Sequence, residues 1–406
     1  MNKLFLVFTL LFATGLNDQA SCSKKNENTV SHPSPTADSS SRKLETGAEQ
    51  LQKYLPLLKN KNVGLVVNHT SIVGSRHLVD TLLSLNIKVK KIFAPEHGFR
   101  GKADAGETVN NETDSKTGIP IVSLYGNNKK PSRQQLADLD VLLFDIQDVG
   151  VRFYTYISTM HYLMEACAEN NKELVILDRP NPNGHYVDGP VLEPSQKSFV
   201  GMHPIPIVHG LTIAELAQMI NGEKWLDSGK VCKLHLITNK NYTHTTPYSL
   251  PVKPSPNLPN DVAIRLYPSL GLFEGTTLSI GRGTEFPFQV IGGPDKNYGN
   301  FTFTPKSIEG MAKNPPLENQ LCYGVDLRKT GNDERFTLKY LIEFYNKSSN
   351  KDTYFNNFLS KLAGNTSLKV QIKKGMTEAQ IRETWKGPLE KYKSIRKKYL
   401  LYPDFE

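Results

Sequence analysis

Short apolar runs alternate with stretches of helical spacing through the first half of the chain, and this alternation restricts the fold more than any other feature. Each run has the length of a buried strand. The runs cover residues 62–67, 89–94, 119–124, 141–144 and 174–177. Strands that alternate with helices predict a mostly parallel sheet with helices on both faces, joined by right-handed crossovers. We therefore expect an α/β fold with a Rossmann-like N-terminal domain.

Polar residues follow directly after each of these predicted strands. They are Asn68, Glu96, His97, Tyr125, Asp145, Gln147, Asp178, Asn181 and Asn183. Open α/β sheets bind ligands at the carboxyl ends of their strands, so we expect these residues to meet along one rim. No G-x-G-x-x-G follows the first strand and no P-loop motif occurs, so the resemblance to dinucleotide-binding sheets is one of topology only. No cofactor is expected.

The second half of the chain has a different composition. A proline-rich segment, 247–259, marks a candidate boundary, and the short strands and amphipathic helices beyond it are typical of a smaller α+β domain. A chain of 406 residues is too long for one ordinary core. We predict a Rossmann-like domain over residues 46–252 and an α+β C-terminal domain over residues 253–406.

The first 45 residues are expected to lie outside the fold. A basic start, Met1–Lys3, precedes an apolar stretch that is too short to span a bilayer, as in a secretory signal. Small residues then lead to Cys22 in a pattern that resembles a lipobox, although Gln19 stands where an aliphatic residue is usual. We predict a signal peptide of lipoprotein type over residues 1–21, lipidation of Cys22 and a flexible tether over residues 22–45. The protein would then be exported, either periplasmic or anchored to a membrane.

The net charge limits the expected binding partners, and the cysteine spacing limits the expected disulfides and metal sites. The net charge of +9 comes from scattered basic residues, and no nucleic-acid-binding signature occurs, so we expect no nucleic-acid partner. An exported chain of this charge is suited to acidic glycans or the cell envelope. Besides Cys22, the chain has Cys167, Cys232 and Cys322, whose spacing indicates neither a disulfide framework nor a zinc site. We expect buried free thiols and no metal ligands.

The stretch Ile92–Gly101 is the leading candidate for catalysis, because it places a carboxyl and an imidazole in a glycine-flanked loop after a strand. Glu96 is the candidate general acid, since a carboxyl near apolar groups can hold a proton at neutral pH. His97 would orient it or shuttle protons. The alternative is a structural one, in which Glu96 caps a turn or pairs with a basic residue such as Arg100.

Glycoside cleavage would require a second carboxylate, and the separation of the two would set the stereochemical outcome. The candidates are Glu274, Glu285, Asp145, Asp148 and Asp178. Each of them has an alternative role as a turn cap or a salt-bridge partner.

Other residues would bind substrate. Arg152 and Arg282 would clamp an anionic group by paired hydrogen bonds, or else bridge loops. Tyr154 and Tyr156 would stack on a sugar face, or belong to the core. His209 is a site residue or a core histidine.

The sequence gives less support to two other kinds of hydrolase. A metal held by Glu96, His97 and Asp145 is less well supported, because these residues lack the short regular spacing of metal motifs. A serine hydrolase is disfavoured by the absence of a G-x-S-x-G motif.

Several ordered motifs together resemble the NamZ-type exo-β-N-acetylmuramidases, glycoside hydrolase family 171. The motifs are Asn68–Thr70, Pro95–Gly101, Asp145–Thr155, Asp178–Gly184, Leu272–Thr276 and Gly281–Thr284. The resemblance extends from about Gly47 to Tyr402. It implies a cleft between the two domains and release of N-acetylmuramic acid (MurNAc) from the non-reducing end of peptidoglycan fragments such as MurNAc-GlcNAc.

By its position in the matching motif, Glu96 would be the family's catalytic glutamate. Glu274 and Arg282 would face it from the second domain. The full set of predicted catalytic residues is Glu96, His97 and Glu274. The predicted substrate-binding residues are Asn68, Asp145, Gln147, Arg152, Tyr154, Asp178, Asn181, His209 and Arg282. Two alternatives stay open: an envelope protein that binds muropeptides without cleaving them, and a metal-dependent hydrolase.

Overall fold

The computed structural model of this protein contains three sheets, of seven, three and two strands, together with helices. It describes residues 43–96, 98–99, 112–331 and 334–406. The strands are β1 (Val63–Val67), β2 (Ile72–Val73), β3 (Arg76–His77), β4 (Val89–Ala94), β5 (Glu112–Thr113), β6 (Pro120–Ser123), β7 (Val141–Asp145), β8 (Glu173–Leu177), β9 (Lys233–Ile237), β10 (Val290–Gly293), β11 (Phe301–Phe303) and β12 (Cys322–Asp326). The α-helices are α1 (Leu51–Leu58), α2 (Leu78–Ser84), α3 (Arg133–Leu136), α4 (Tyr156–Glu169), α5 (Ile213–Gly222), α6 (Asp261–Leu270), α7 (Lys339–Lys347), α8 (Phe358–Ala363), α9 (Ser367–Lys373) and α10 (Glu378–Arg396).

The large sheet has seven strands in the order β5-β6-β4-β1-β7-β8-β9. All neighbours pair in parallel except the edge strand β5, which is antiparallel to β6. Without β5, the order is that of a Rossmann sheet, in which the strand order reverses between the two central strands, β1 and β7. The predicted mostly parallel sheet is therefore confirmed.

Helices cover both faces of this sheet because its central strands are apolar on both sides. Successive side chains of a strand point to opposite faces. Leu65 of β1 packs in the cluster that contains residues of α1 and α2, and the next residue, Val66, packs in the cluster that contains residues of α4 and α5. This arrangement explains why the strands have continuous apolar runs rather than alternating ones.

The C-terminal part is smaller and of α+β type, as predicted. Its strands form an antiparallel sheet in the order β10-β12-β11. Its apolar residues, such as Leu272 and Phe344, belong to the same buried cluster as Met160 and Leu163 of α4. The boundary predicted between residues 252 and 253 stays a prediction. Within the described residues, no helix has the length and apolar character needed to cross a bilayer.

Candidate active site

A pocket of about 190 Å³ is lined by residues from both halves of the chain. Glu96 and residues 153–156 contribute from the first half, and Tyr267, Glu274 and Arg282 contribute from the second. The structure thus brings together four of the predicted site residues, namely Glu96, Tyr154, Glu274 and Arg282. The catalytic and binding roles assigned to them stay predictions.

Glu96 lies in a tight turn directly after β4. The N–H of Gly98 donates to the carbonyl oxygen of Pro95 at 3.0 Å, and Gly98 has a φ of 70°, which favours glycine. The Thr155 hydroxyl donates to Oε2 of Glu96 at 3.2 Å. Burial, the charge of Glu96 and a hydrogen bond to its carboxylate raise the pKa of Tyr125 to about 12. Tyr125 therefore keeps its proton at neutral pH and can act as a donor to Glu96.

Three tyrosines form an apolar wall beside Glu96. Tyr154 packs edge to face against Tyr156 and Tyr267, with ring centroids 5.0 Å and 6.0 Å away. Burial, followed by smaller contributions that include the charge of Glu96, raises the pKa of all three well above its usual value. The hydroxyl of Tyr154 donates to the carbonyl oxygen of Pro254 at 2.7 Å, which fixes the ring. The wall is thus rigid and uncharged.

Glu274 and Arg282 form an ion pair in the pocket. Nε and Nη2 of Arg282 lie 2.9 Å and 2.7 Å from the same oxygen, Oε1 of Glu274. The guanidinium also lies over the ring of Phe288, 5.0 Å from its centroid. Burial is the largest single influence on the pKa of Arg282 and lowers it, but the charge and hydrogen bond of Glu274 together with the nearby Tyr267 and Glu96 outweigh it, so the net shift is upward. Oε2 of Glu274 and Nη1 of Arg282 make no hydrogen bond with a described residue.

Arg152 lies outside this pocket and is fully buried. Its Nη1 donates to the carbonyl oxygens of Pro190 and Ile205 at 2.7 Å each, and its Nη2 donates to that of Leu362 at 2.8 Å. Burial lowers its pKa to about 9. The guanidinium is thus used to connect segments of the fold rather than to face the pocket.

Asp145 is also buried away from the pocket. Both of its carboxylate oxygens accept from Arg179, at 2.6 Å and 2.9 Å. In the metal-dependent alternative, Asp145 would be a metal ligand, but both of its carboxylate oxygens are paired with Arg179. In the described part of the chain, no three His, Cys, Asp or Glu side chains are grouped as a metal site would need.

The amides predicted to bind substrate stabilise the loops at the rim instead: that of Asn68 bonds within its own loop, and those of Gln147 and Asn181 bond between loops. Oδ1 of Asn68 accepts from the N–H and the hydroxyl of Thr70, at 2.9 Å and 2.6 Å. Nε2 of Gln147 donates to the carbonyl oxygen of Pro180 at 2.8 Å, and Nδ2 of Asn181 donates to that of Leu211 at 2.9 Å. None of the three amides lines the pocket.

Asp178 anchors the end of the chain. It accepts from the N–H of Ala214 at 3.0 Å and from the hydroxyl of Tyr402, and burial raises its pKa to about 7. It does not line the pocket.

His209 is buried beside Asp148, and neither residue lines the pocket. Nδ1 of His209 accepts from the N–H of Leu211 at 3.2 Å, so the ring proton is on Nε2, which lies 3.7 Å from Asp148. Of the other candidate carboxylates, Glu285 is exposed and outside the pocket. His97 and Cys22, for which roles are predicted, lie outside the described residues.

Thr155 and Tyr267 are among the residues that line the pocket but had no predicted role. Thr155 is the last residue of the motif Asp145–Thr155, so the motif is a sequence signal that could have indicated it. Tyr267 had no such signal, because it is one aromatic residue on the apolar face of α6 and its position depends on distant packing.

The chain is similar to proteins of one described family. The chain matches the family described as exo-β-N-acetylmuramidase NamZ, N-terminal, over residues 63–262, and the corresponding C-terminal family over residues 265–402. It is 37% identical to the peptidoglycan β-N-acetylmuramidase NamZ of Bacillus subtilis strain 168, with 98% of each chain covered.

Two crystal structures of DUF1343 family proteins from Bacteroides fragilis are similar to this chain. One is 50% identical with a TM-score of 0.83, and the match covers 89% of this chain and 99% of that one. The other is 28% identical with a TM-score of 0.76, and the match covers 88% and 99% of the two chains.

Proposed function

This chain belongs to the NamZ family of exo-β-N-acetylmuramidases, and on that basis we propose that the pocket around Glu96 is its active site. The protein is a peptidoglycan glycosidase that releases MurNAc from the non-reducing end of peptidoglycan fragments. The observation that carries the assignment of the site is the meeting of Glu96 with the Glu274–Arg282 pair in one pocket.

Glu96 is assigned as the proton donor to the glycosidic oxygen. Its carboxyl is positioned by the hydroxyls of Thr155 and Tyr125 and lies beside the tyrosine wall. Fixed orientation of the donor is what general acid catalysis requires, because the proton must be transferred along a defined direction. Glu274 is less suited to this role, since one of its oxygens already accepts twice from Arg282.

Glu274 is assigned as the second catalytic carboxylate. Its Oε2 would either take a proton from the attacking water or attack the anomeric carbon directly, and the two alternatives give opposite anomers. NMR of the sugar released from MurNAc-GlcNAc distinguishes them. Nη1 of Arg282 retains N–H groups for the lactyl carboxylate of MurNAc, a group that a neutral sugar lacks.

A comparison of leaving groups tests the role of Glu96. We expect Glu96→Gln to lower kcat/KM for MurNAc-GlcNAc by about a thousandfold, within the range for loss of a general acid. The loss should be much smaller for a nitrophenyl β-MurNAc glycoside, whose leaving group needs little protonation. Glu274→Gln should impair both substrates similarly, and the exposed Glu285→Gln is the matched control. Activity of Glu96→Gln within tenfold of wild type on the disaccharide would rule out this role.

We further propose that the chain is exported and attached to a membrane through a lipid on Cys22. Support comes from the basic and apolar start of the chain and the small residues before Cys22. Fractionation of cells that produce the full chain tests this: wild type should sediment with membranes, and Cys22→Ser should not. Recovery of both in the same fraction would contradict lipidation.

A further inference from the structure

Phe358, the first residue of α8, is an exposed aromatic residue at the pocket around Glu96. It lines the pocket and is 40% exposed. The other aromatic residues of the described lining are all buried, namely Phe153, Tyr154, Tyr156, Tyr267 and Phe288. A single exposed apolar side chain needs no explanation by itself. This one, however, lies where the substrate would enter.

The two tyrosines that were expected to stack on a sugar have no free ring face to offer. Tyr154 and Tyr156 are only 8% and 2% exposed, and their rings pack edge to face against each other. By contrast, the ring of Phe358 forms no ring or cation–π contact with a residue that the structure describes. An aromatic ring attracts the C–H groups of a sugar through its electron-rich face. Of the three, Phe358 is therefore the one that can stack on a sugar.

Hydrogen bonds fix the backbone of Phe358 relative to Glu274. The N–H of Phe358 donates to Oδ1 of Asn356 at 2.8 Å, and Nδ2 of Asn356 donates to the carbonyl oxygen of Glu274 at 3.3 Å. Gly275 allows α8 to pack closely here, because a Cβ at this position would lie 2.5 Å from Cα of Leu359. The start of α8 is thus held beside the ion pair of Glu274.

The pocket is too small to enclose a whole disaccharide. Its volume of about 190 Å³ is below the roughly 300–1,000 Å³ of pockets that bury most of a drug-sized ligand. An enzyme that releases a terminal MurNAc holds that sugar inside the pocket, next to Glu96 and Glu274. The following sugar then extends towards the exposed side of the pocket, where Phe358 lies.

We propose that Phe358 forms the binding site for the sugar that follows MurNAc, by stacking its ring on the C–H face of that sugar. In MurNAc-GlcNAc this sugar is GlcNAc, whose ring substituents are equatorial, so that its axial C–H bonds form apolar faces suited to an aromatic ring. The inference rests on the proposed function, because it requires MurNAc to occupy the pocket around Glu96.

Kinetics with three variants of Phe358 test the proposal. Phe358→Ala should raise KM for MurNAc-GlcNAc about tenfold and leave kcat nearly unchanged, because a contact present in both the bound and the transition state affects KM alone. Phe358→Tyr keeps the aromatic face and should behave like wild type. Phe358→Leu keeps an apolar side chain without that face and should behave like Phe358→Ala.

Inhibition by free MurNAc is the internal control. Its inhibition constant should stay within about twofold of wild type in all three variants, which also shows that they fold. Leu85→Ala, which truncates an exposed apolar side chain outside the pocket, is the matched control and should change neither quantity. An unchanged KM in Phe358→Ala, a normal KM in Phe358→Leu, or weaker inhibition by MurNAc in Phe358→Ala would each overturn the proposal.

Calorimetry separates this inference from the proposed function. Glu96→Gln should bind MurNAc-GlcNAc about tenfold more tightly than the double variant Glu96→Gln, Phe358→Ala, and the two should bind MurNAc equally. If wild type releases no MurNAc, the proposed function fails, and this difference in disaccharide binding would still support stacking on Phe358. Equal binding of the disaccharide by both proteins, or no binding to Glu96→Gln, would overturn the inference.

Discussion

Glu96 depends on two neighbouring hydroxyls for its orientation. The Thr155 hydroxyl lies 3.2 Å from Oε2, and the Tyr125 hydroxyl bonds to the same carboxylate. These two donors come from different loops of the sheet rim, one after β6 and one just before α4. A carboxyl held from two sides keeps one orientation, and this is the property that proton donation to a fixed glycosidic oxygen needs.

Removal of the Tyr125 hydroxyl should therefore impair turnover rather than binding. Tyr125→Phe keeps the ring and deletes the hydrogen bond to the carboxylate of Glu96, and a loss of about 1.4 kcal/mol of transition-state stabilisation lowers a rate tenfold. We expect kcat for MurNAc-GlcNAc to fall by about tenfold or more, with KM nearly unchanged and the melting temperature close to that of wild type. Steady-state kinetics and thermal unfolding measure these quantities, and Tyr162→Phe on α4 is the control. A change in KM alone would contradict a positioning role.

At the scale of elements, local pattern was sufficient to predict the sheet. Strand β4 was expected over residues 89–94 and occupies Val89–Ala94, because apolar runs and their flanking polar residues are local signals. The roles of the polar residues at the strand ends could not be derived in the same way. Asp178 is covered by Tyr402, 224 residues later, and Arg152 bonds to Leu362, 210 residues later. A strand-end polar residue that faces a substrate and one that anchors a distant segment have the same local sequence signal.

The C-terminal segment should make stability depend on pH through Asp178. Burial raises the pKa of Asp178 from the usual 3.8 to about 7, and hydrogen bonds from Tyr402 and Ala214 offset only part of this effect. Between these values the folded state holds a proton that the unfolded state has lost. The contribution of Asp178 to the free energy of unfolding is therefore fully present below about pH 4 and is lost as the pH rises through 7.

Asp178→Asn removes this titration and tests the assignment. We expect the variant to gain stability relative to wild type as the pH rises from 5 to 8, whatever the constant cost of replacing the carboxyl. Urea unfolding of both proteins at several pH values measures the difference. Parallel pH profiles of the two proteins would show that Asp178 does not titrate in this range.

At the scale of the whole molecule, the two family regions share one interior. Residues 43–406 form a single unit, and one buried cluster contains residues of α4 and of α7. Hydrogen bonds also connect the two family regions. Arg152 donates to the carbonyl oxygen of Leu362. Nε and Nη2 of Arg396 donate to the carbonyl oxygen of Gly210, at 3.0 Å and 2.7 Å. Both walls of the pocket belong to regions that share one core and are joined by hydrogen bonds from buried arginines. This packing can keep the distance between Glu96 and Glu274 constant.

Such a molecule should unfold in one transition, although two family regions divide its sequence. The chain has two tryptophans, Trp225 in the first half and Trp385 in the second, so variants that retain one of them report on each half separately. We expect coincident urea midpoints for the two probes. Arg152→Met would remove the guanidinium donor from three carbonyl oxygens, of which only that of Ile205 keeps another donor, the N–H of Leu192 at 3.1 Å, and it should lower the free energy of unfolding by about 3 kcal/mol or more.

The decisive observation is whether both probes respond to this one substitution. If the halves are energetically joined, Arg152→Met shifts the midpoints reported by Trp225 and Trp385 by the same amount. The exposed Arg133→Met should shift neither by more than about 0.5 kcal/mol, as expected for a surface substitution. A shift seen only at Trp225 would mean that the halves unfold independently, and the constant geometry between Glu96 and Glu274 would then need another source.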